Sequence, residues 1–127
     1  MKNIRKKSIF SHVAKDVEVA LFNAQVYGII LYHARVSKSL VTYGDIATAV
    51  RIAPRGAQIA QAIEAITTAV AKNGDEIITA IVVGKHTGFP GSGFFKHCRR
   101  LGFKIGDTQI DEMAFWEDQL KKLEINY

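Results

Sequence analysis

LVTYGDIATAVRIAPRGAQIAQAI, residues 40–63, contains the signals of two helices joined by a short turn. Thr42 is a favourable N-cap, and Asp45 follows it by three residues, which makes a capping box with Asp in place of the usual Glu. We therefore expect a short helix over residues 43–50. Pro54 prevents its continuation, because proline lacks a backbone N–H and biases the preceding residue toward an extended conformation.

A longer helix is predicted after this turn, from about Arg55 to Lys72. Apolar residues at spacings of four, three and four define its buried face, namely Ile59, Ile63, Ile66 and Val70. The opposite face is small and polar, with Gln58, Gln61, Ala65, Thr68 and Lys72. Gly74 is placed to end this helix in a left-handed conformation.

A first helix is predicted upstream, over residues 16–37, with Asp16 as its N-cap. Its apolar residues again recur at helical spacing and predict a core-facing stripe: Val17, Leu21, Ala24, Gly28 and Leu31. Residues 1–12 are expected to form a basic N-terminal arm.

The second half of the chain alternates apolar and glycine-rich segments. EIITAIVV, residues 76–83, is rich in β-branched residues and predicts a buried strand. GKHTGFPGSGFF, residues 84–95, is expected to form a turn that carries Phe89 and the Phe94–Phe95 pair into the core. A short helix over about 93–101, with Ser92 as N-cap, and a short strand in LGFKIGD, residues 101–107, follow.

The C-terminal segment, residues 109–127, is predicted to contain a helix near Asp111 to Leu123. Acids at its start and lysines at its end agree with the helix dipole. Its expected buried stripe consists of Met113, Trp116, Leu120 and Leu123. The stripe could instead form a homodimer or partner surface.

This order of elements is typical of a winged helix-turn-helix. We predict one domain over residues 1–127, mainly α-helical with a small β element and with an added C-terminal helix. In such a fold the second helix of the pair enters the DNA major groove, and a basic loop beyond the strand contacts phosphates.

The charge distribution favours a polyanionic partner. The net charge is +5, and residues 1–15 carry five basic residues and no acid. Residues 84–104 also lack acids and contain Lys85, Lys96, Arg99, Arg100 and Lys104. The single cysteine, Cys98, excludes an internal disulfide and fits a reducing compartment. No apolar run is long enough for a membrane span, so we expect a cytoplasmic protein.

TYGDIA, followed by RGAQIAQAI and then AIVVGKHTG, resembles the winged helix-turn-helix domain of alkylguanine-DNA alkyltransferases and their alkyltransferase-like relatives. The similarity covers roughly residues 25–95 and rests on short motifs. It implies that Tyr43 lies near the DNA backbone and that Arg55 is the arginine at the recognition helix.

The sequence departs from that family at its reactive motif. The family has Pro-Cys-His-Arg just before a Val-Val pair, whereas residues 78–81 here read Ile-Thr-Ala-Ile ahead of Val82 and Val83. The comparison therefore excludes alkyl transfer, and it leaves the base-flipping pocket of the family without support in the sequence.

No other motif in the sequence indicates catalysis. GFPGSG lacks the spacing of a nucleotide-binding loop, although Ser92 and the free amides of the helix start can hold a phosphate oxygen. The four histidines have no metal-binding spacing, and we predict neither metal nor cofactor. We interpret His33 as a satisfied residue at the end of the first helix and Cys98 as a buried structural thiol.

We therefore predict a non-enzymatic nucleic-acid-binding protein, with double-stranded DNA favoured. A recognition helix over 55–72 and a basic glycine-rich wing over 84–104 would form the interface, through Tyr43, Arg55, Gln58, Gln61, Thr68, Lys85, His86, Ser92, Lys96 and Arg100. An immunity-type or phage-borne module that binds an acidic protein is the first alternative. A small metal-independent RNase toxin that uses His86 and His97 is the second.

Overall fold

A computed structural model describes residues 2–52 and 57–127, with side chains described from residue 15 onward. The described chain is mainly helical with one small parallel sheet. Its elements are α1 (Lys2–Tyr32), a π-helical turn (His33–Ser37), β1 (Val41–Thr42), α2 (Tyr43–Ala49), α3 (Ala57–Lys72), a 3-10 turn (Ile78–Ile81), β2 (Val82–Val83), α4 (Ser92–Arg100) and α5 (Gln109–Lys122).

The first helix is longer than predicted. It begins at Lys2 and not at Asp16, so Asp16 is no N-cap and residues 2–12 belong to the helix. Neither proline nor glycine occurs before Gly28, so nothing in the sequence interrupts the helix there. The π-helical turn closes with Lys38 in the left-handed region, at φ 51°.

The buried face of α1 also differs from the prediction. Val26 and Ile30 of α1 and Ala34 of the π-helical turn are fully buried, whereas Val17 and Leu21 are 51% and 61% exposed. The apolar residues of α1 form more than one stripe, and helical spacing alone does not say which stripe meets the core.

The predicted helix pair is confirmed for α2 and for the described part of α3. Thr42 and Asp45 form the expected capping box, and the four apolar residues that define the inner face of α3 are buried. Gly74 has the expected positive φ, at 76°. Pro54 and Arg55 lie outside the described residues.

The segment predicted as one buried strand is buried but only partly extended. Residues 78–81 form the 3-10 turn, and β2 contains only Val82 and Val83. In a fully buried apolar run, every position is apolar. The sequence therefore has no periodicity that distinguishes a strand from a helical turn. β2 pairs in parallel with β1, with Val41 opposite Val82.

The short strand predicted for LGFKIGD is wrong. Residues 101–107 form no strand. The glycine-rich loop is a hydrogen-bonded turn, in which Gly88 N–H donates to the Gly84 carbonyl and Gly84 N–H donates to the Phe89 carbonyl. We attribute the absence of this strand to the shortness of β2. A strand of two residues ends before the loop and offers no edge with which residues 101–107 could pair.

The loop and α4 carry aromatic side chains inward, as predicted. Phe94 and Phe95 are buried, and Phe89 stacks on Phe95 at a centroid distance of 5.3 Å. Phe89 also meets the edge of Trp116 at 5.0 Å. Gly91 and not Ser92 is the N-cap residue of α4, and it makes no side-chain cap hydrogen bond.

The C-terminal helix closes the core over the 3-10 turn. Trp116, Leu120 and Leu123 are buried as expected, but Met113 is 42% exposed. The capping residue is Thr108, three positions before Asp111, so the helix begins earlier than predicted. Trp116 Nε1–H donates to the Ala80 carbonyl at 2.8 Å, which satisfies a buried carbonyl of the turn. Among the described residues, no helix is both long and apolar enough for a membrane span.

Candidate nucleic-acid interface

Tyr43 joins the glycine-rich loop to the start of α2. The Gly91 N–H donates to its hydroxyl at 3.4 Å, and a Cβ at Gly91 would stand 3.6 Å from that oxygen. Burial raises the pKa of Tyr43, and the Gly91 hydrogen bond only partly opposes this. Tyr43 is therefore half-buried and neutral, and its hydroxyl holds the glycine-rich loop at Gly91.

A cleft of about 250 Å³ lies beside Tyr43, between α3 and α4. The buried part of its lining consists of two apolar side chains, Ile63 and Phe94, and the hydroxyl-bearing Thr67. Glu64 and His97 add polar groups, and Gly91, Gly93 and Ala60 complete the lining without bulky side chains. Its volume is slightly below the range of about 300–1,000 Å³ that is typical of ligand pockets, so only a small group fits it.

His97 is held between α3 and its own helix. Its Nε2 lies 2.8 Å from Thr68 Oγ1 and 3.1 Å from the Glu64 carbonyl. A carbonyl only accepts, so Nε2 carries the proton, and Nδ1 is left to accept from Arg100 Nη2 at 3.4 Å. Protein groups thus bond to both ring nitrogens, and His97 links α3 to α4.

The basic residues of the glycine-rich loop and α4 differ in their availability. Lys85, His86, Ser92, Lys96 and Arg100 are all exposed. Among the described ion pairs, none involves Lys85 or Lys96, and the Arg100–Glu64 pair is exposed at 3.8 Å.

Arg99 has a different environment from its neighbour Arg100. It pairs with Glu112 at 2.9 Å and donates to the Ile105 and Gly106 carbonyls. Arg99 therefore fixes the connection to α5 and is not free for a ligand.

The polar residues predicted for the recognition face do not form one cluster. Gln58 and Gln61 are exposed but line a groove shared with α1, opposite Glu18 and Asn23. Thr68 is half-buried and bound to His97. Arg55 lies outside the described residues. Of the predicted residues, Tyr43 lines the cleft, and Thr68 and Arg100 bond to the lining residue His97. The two glutamines lie on the side facing α1.

Sequence reasoning missed the lining of the cleft, above all Ala60, Glu64 and Thr67. These residues occur at spacings of four and three and share one flank of α3, which was a usable signal. Their partners on α4 are distant in sequence, however, and only the tertiary packing brings the two helices together.

Cys98 faces the core and not the cleft. It is fully buried, and burial raises the pKa of its thiol to about 12. The prediction that this thiol is buried is confirmed, and burial keeps it protonated.

Comparison of the chain with models of protein families, with curated proteins and with solved structures finds no match. We therefore infer the function from the geometry and charge of the site and from the short motifs of the sequence.

Proposed function

We propose that this protein binds nucleic acid, with double-stranded DNA favoured, through a winged helix-turn-helix in which the glycine-rich turn takes the place of a stranded wing. The observation that carries the proposal is the group of exposed basic side chains on the glycine-rich loop and α4. Its side chains are Lys85, His86, Lys96 and Arg100, and the Tyr43–Gly91 hydrogen bond anchors the loop to α2.

Electrostatics supports a polyanion as the ligand. Residues 84–104 contain five Lys or Arg residues and no acid. Lys85 and Lys96 lack ion-pair partners among the described residues, so a phosphate meets them without displacing a carboxylate. Arg100 is held by an exposed pair with Glu64 and a long hydrogen bond to His97, and a phosphate can replace the exposed pair.

The cleft gives this surface an apolar centre. Ile63 and Phe94 in its lining offer apolar contact to an unstacked base, and Tyr43 and His97 also line it. The resemblance to alkyltransferase-like proteins is consistent with this arrangement. The cleft contains no thiol, because Cys98 faces the core, so binding without alkyl transfer is the proposed activity.

Fluorescence anisotropy with labelled duplex DNA, single-stranded DNA and RNA across a salt series tests the proposal. We expect duplex binding whose logarithmic salt slope falls by about one for each contacted phosphate that is lost, so Lys85→Ala and Lys96→Ala should each reduce the slope. Lys121→Ala on α5 is the charge-matched control and should leave binding unchanged. Absence of binding to every probe at low salt would refute the proposal.

Two other outcomes, one of them from a separate binding assay with acidic proteins, distinguish the alternatives. Binding to an acidic protein without binding to nucleic acid would favour the interaction module. Shortening of the RNA probe that is lost in His86→Ala would favour an RNase.

A further inference from the structure

An apolar stripe on α1 is left on the outside of the described structure. Val17, Leu21, Ala24 and Gly28 are exposed, whereas Leu31, at the end of the stripe, is half-buried and packs partly against the core. This is the stripe that sequence spacing assigns to the core, yet the core takes Val26, Ile30 and Ala34 instead. A separate apolar face therefore remains available after the monomer has folded.

The spacing of this stripe is that of a coiled-coil seam. Its members follow one another at four, three, four and three residues, and in the sequence the same alternation continues upstream to Ala14 and Phe10. Residues 10–31 thus span three heptads with an apolar, alanine or glycine residue at every a and d position. A seam of this kind fits another helix with the same spacing, and α1 itself is such a helix.

The middle of the seam allows two helices to approach closely. A Cβ at Gly28 would meet nothing within 4 Å, so the space above that residue is open. Glycine inside a helix costs about 1 kcal/mol relative to alanine, and no close contact within the monomer requires it at this position. Ala24 is the neighbouring small residue on the same stripe.

We infer that α1 is a dimerisation helix whose seam, Val17, Leu21, Ala24, Gly28 and Leu31, packs against the same seam of a second copy. The inference does not depend on nucleic-acid binding.

Charge favours an antiparallel arrangement of the two helices. Residues 2–7 contain four basic residues and no acid, and a parallel pair would place the two clusters side by side. An antiparallel overlap of residues 10–31 separates the two Lys7 positions by about 40 Å at 1.5 Å per residue.

Light scattering of the full chain after size-exclusion chromatography, over a concentration series, tests the dimer. We expect a mass approaching twice 14.1 kDa for the unaltered chain and 14.1 kDa for Leu21→Glu. Ile110→Glu is the matched control, because Ile110 is 80% exposed and lies on α5, and it should remain dimeric. Ala24→Glu should act like Leu21→Glu, and circular dichroism verifies that both variants keep the helical fold.

Two results would overturn the inference: an unaltered chain that stays monomeric at every concentration, or dimers that persist in both seam variants. The orientation has its own measurement, the distance between spin labels on Lys7→Cys. Cys98 is buried and should not react with the label. A separation near 40 Å supports the antiparallel pair, and one below about 20 Å overturns it.

Discussion

The apolar stripe of α5 and the outer stripe of α1 have the same kind of sequence pattern and opposite environments. Trp116, Leu120 and Leu123 are at most 5% exposed, whereas Val17 and Leu21 are more than half exposed. The α5 stripe has the 3-10 turn and Phe89 of the glycine-rich loop to pack against. The comparison shows that periodicity identifies a face of a helix, while the partner of that face is decided elsewhere in the chain.

Truncating one member of each stripe gives the largest expected contrast. Trp116→Ala should lower the free energy of unfolding by about 3–5 kcal/mol, because it leaves a cavity and an unpaired Ala80 carbonyl. Leu21→Ala should change it by less than about 0.5 kcal/mol in dilute solution, where the monomer predominates. Urea denaturation measures both, and equal losses would show that α1 packs differently.

A pair of buried threonines extends the comparison between buried and exposed side chains. Thr67 and Thr79 are both 1% exposed, and their hydroxyl oxygens lie 2.6 Å apart. Thr67→Val should cost about 1–3 kcal/mol because the Thr79 hydroxyl loses its partner. The double variant with Thr79→Val should cost less than the sum of the two single changes. A double-mutant cycle by urea denaturation tests this, and strict additivity would argue against coupling.

The beginnings of the two helices provide a smaller contrast. Thr108 caps α5, so Thr108→Ala should cost about 1 kcal/mol. Asp16 lies inside α1, and Asp16→Ala should be neutral or stabilising by up to about 0.7 kcal/mol because alanine favours helix. Thermal unfolding of both variants makes the comparison. A clear loss for Asp16→Ala would restore Asp16 as the start of the helix.

The smallest expected effect is a pH dependence at the same cap. Hydrogen bonds from the Thr108 hydroxyl and the Thr108 backbone N–H hold the pKa of Asp111 below its ordinary value. The resulting stability is complete above about pH 4 and is lost as pH falls through the folded-state pKa. Asp111→Asn should therefore be less stable than the unaltered chain at neutral pH, and the difference should shrink in acid. Urea midpoints measured between neutral pH and about pH 2 would reveal it.

The parts of the fold that depend on residues close together in the sequence were predictable. The Thr42–Asp45 capping box, the inner face of α3 and the positive φ at Gly74 all follow from local hydrogen bonding, helical spacing and steric freedom. The inward direction of Phe94 and Phe95 was predictable as well, since large aromatic groups near a helix start have little alternative to the core.

The cleft and the outer stripe of α1 were decided only by tertiary structure. The cleft exists because His97 of α4 reaches Thr68 and Glu64 of α3, a contact between residues 29 and 33 positions apart in the chain. Val26 and not Leu21 enters the core because α1 packs on α3 and the 3-10 turn, and these elements determine which face of α1 is covered. Local sequence sets propensity and spacing, but burial is a property of two surfaces, and the second surface is supplied by distant parts of the chain.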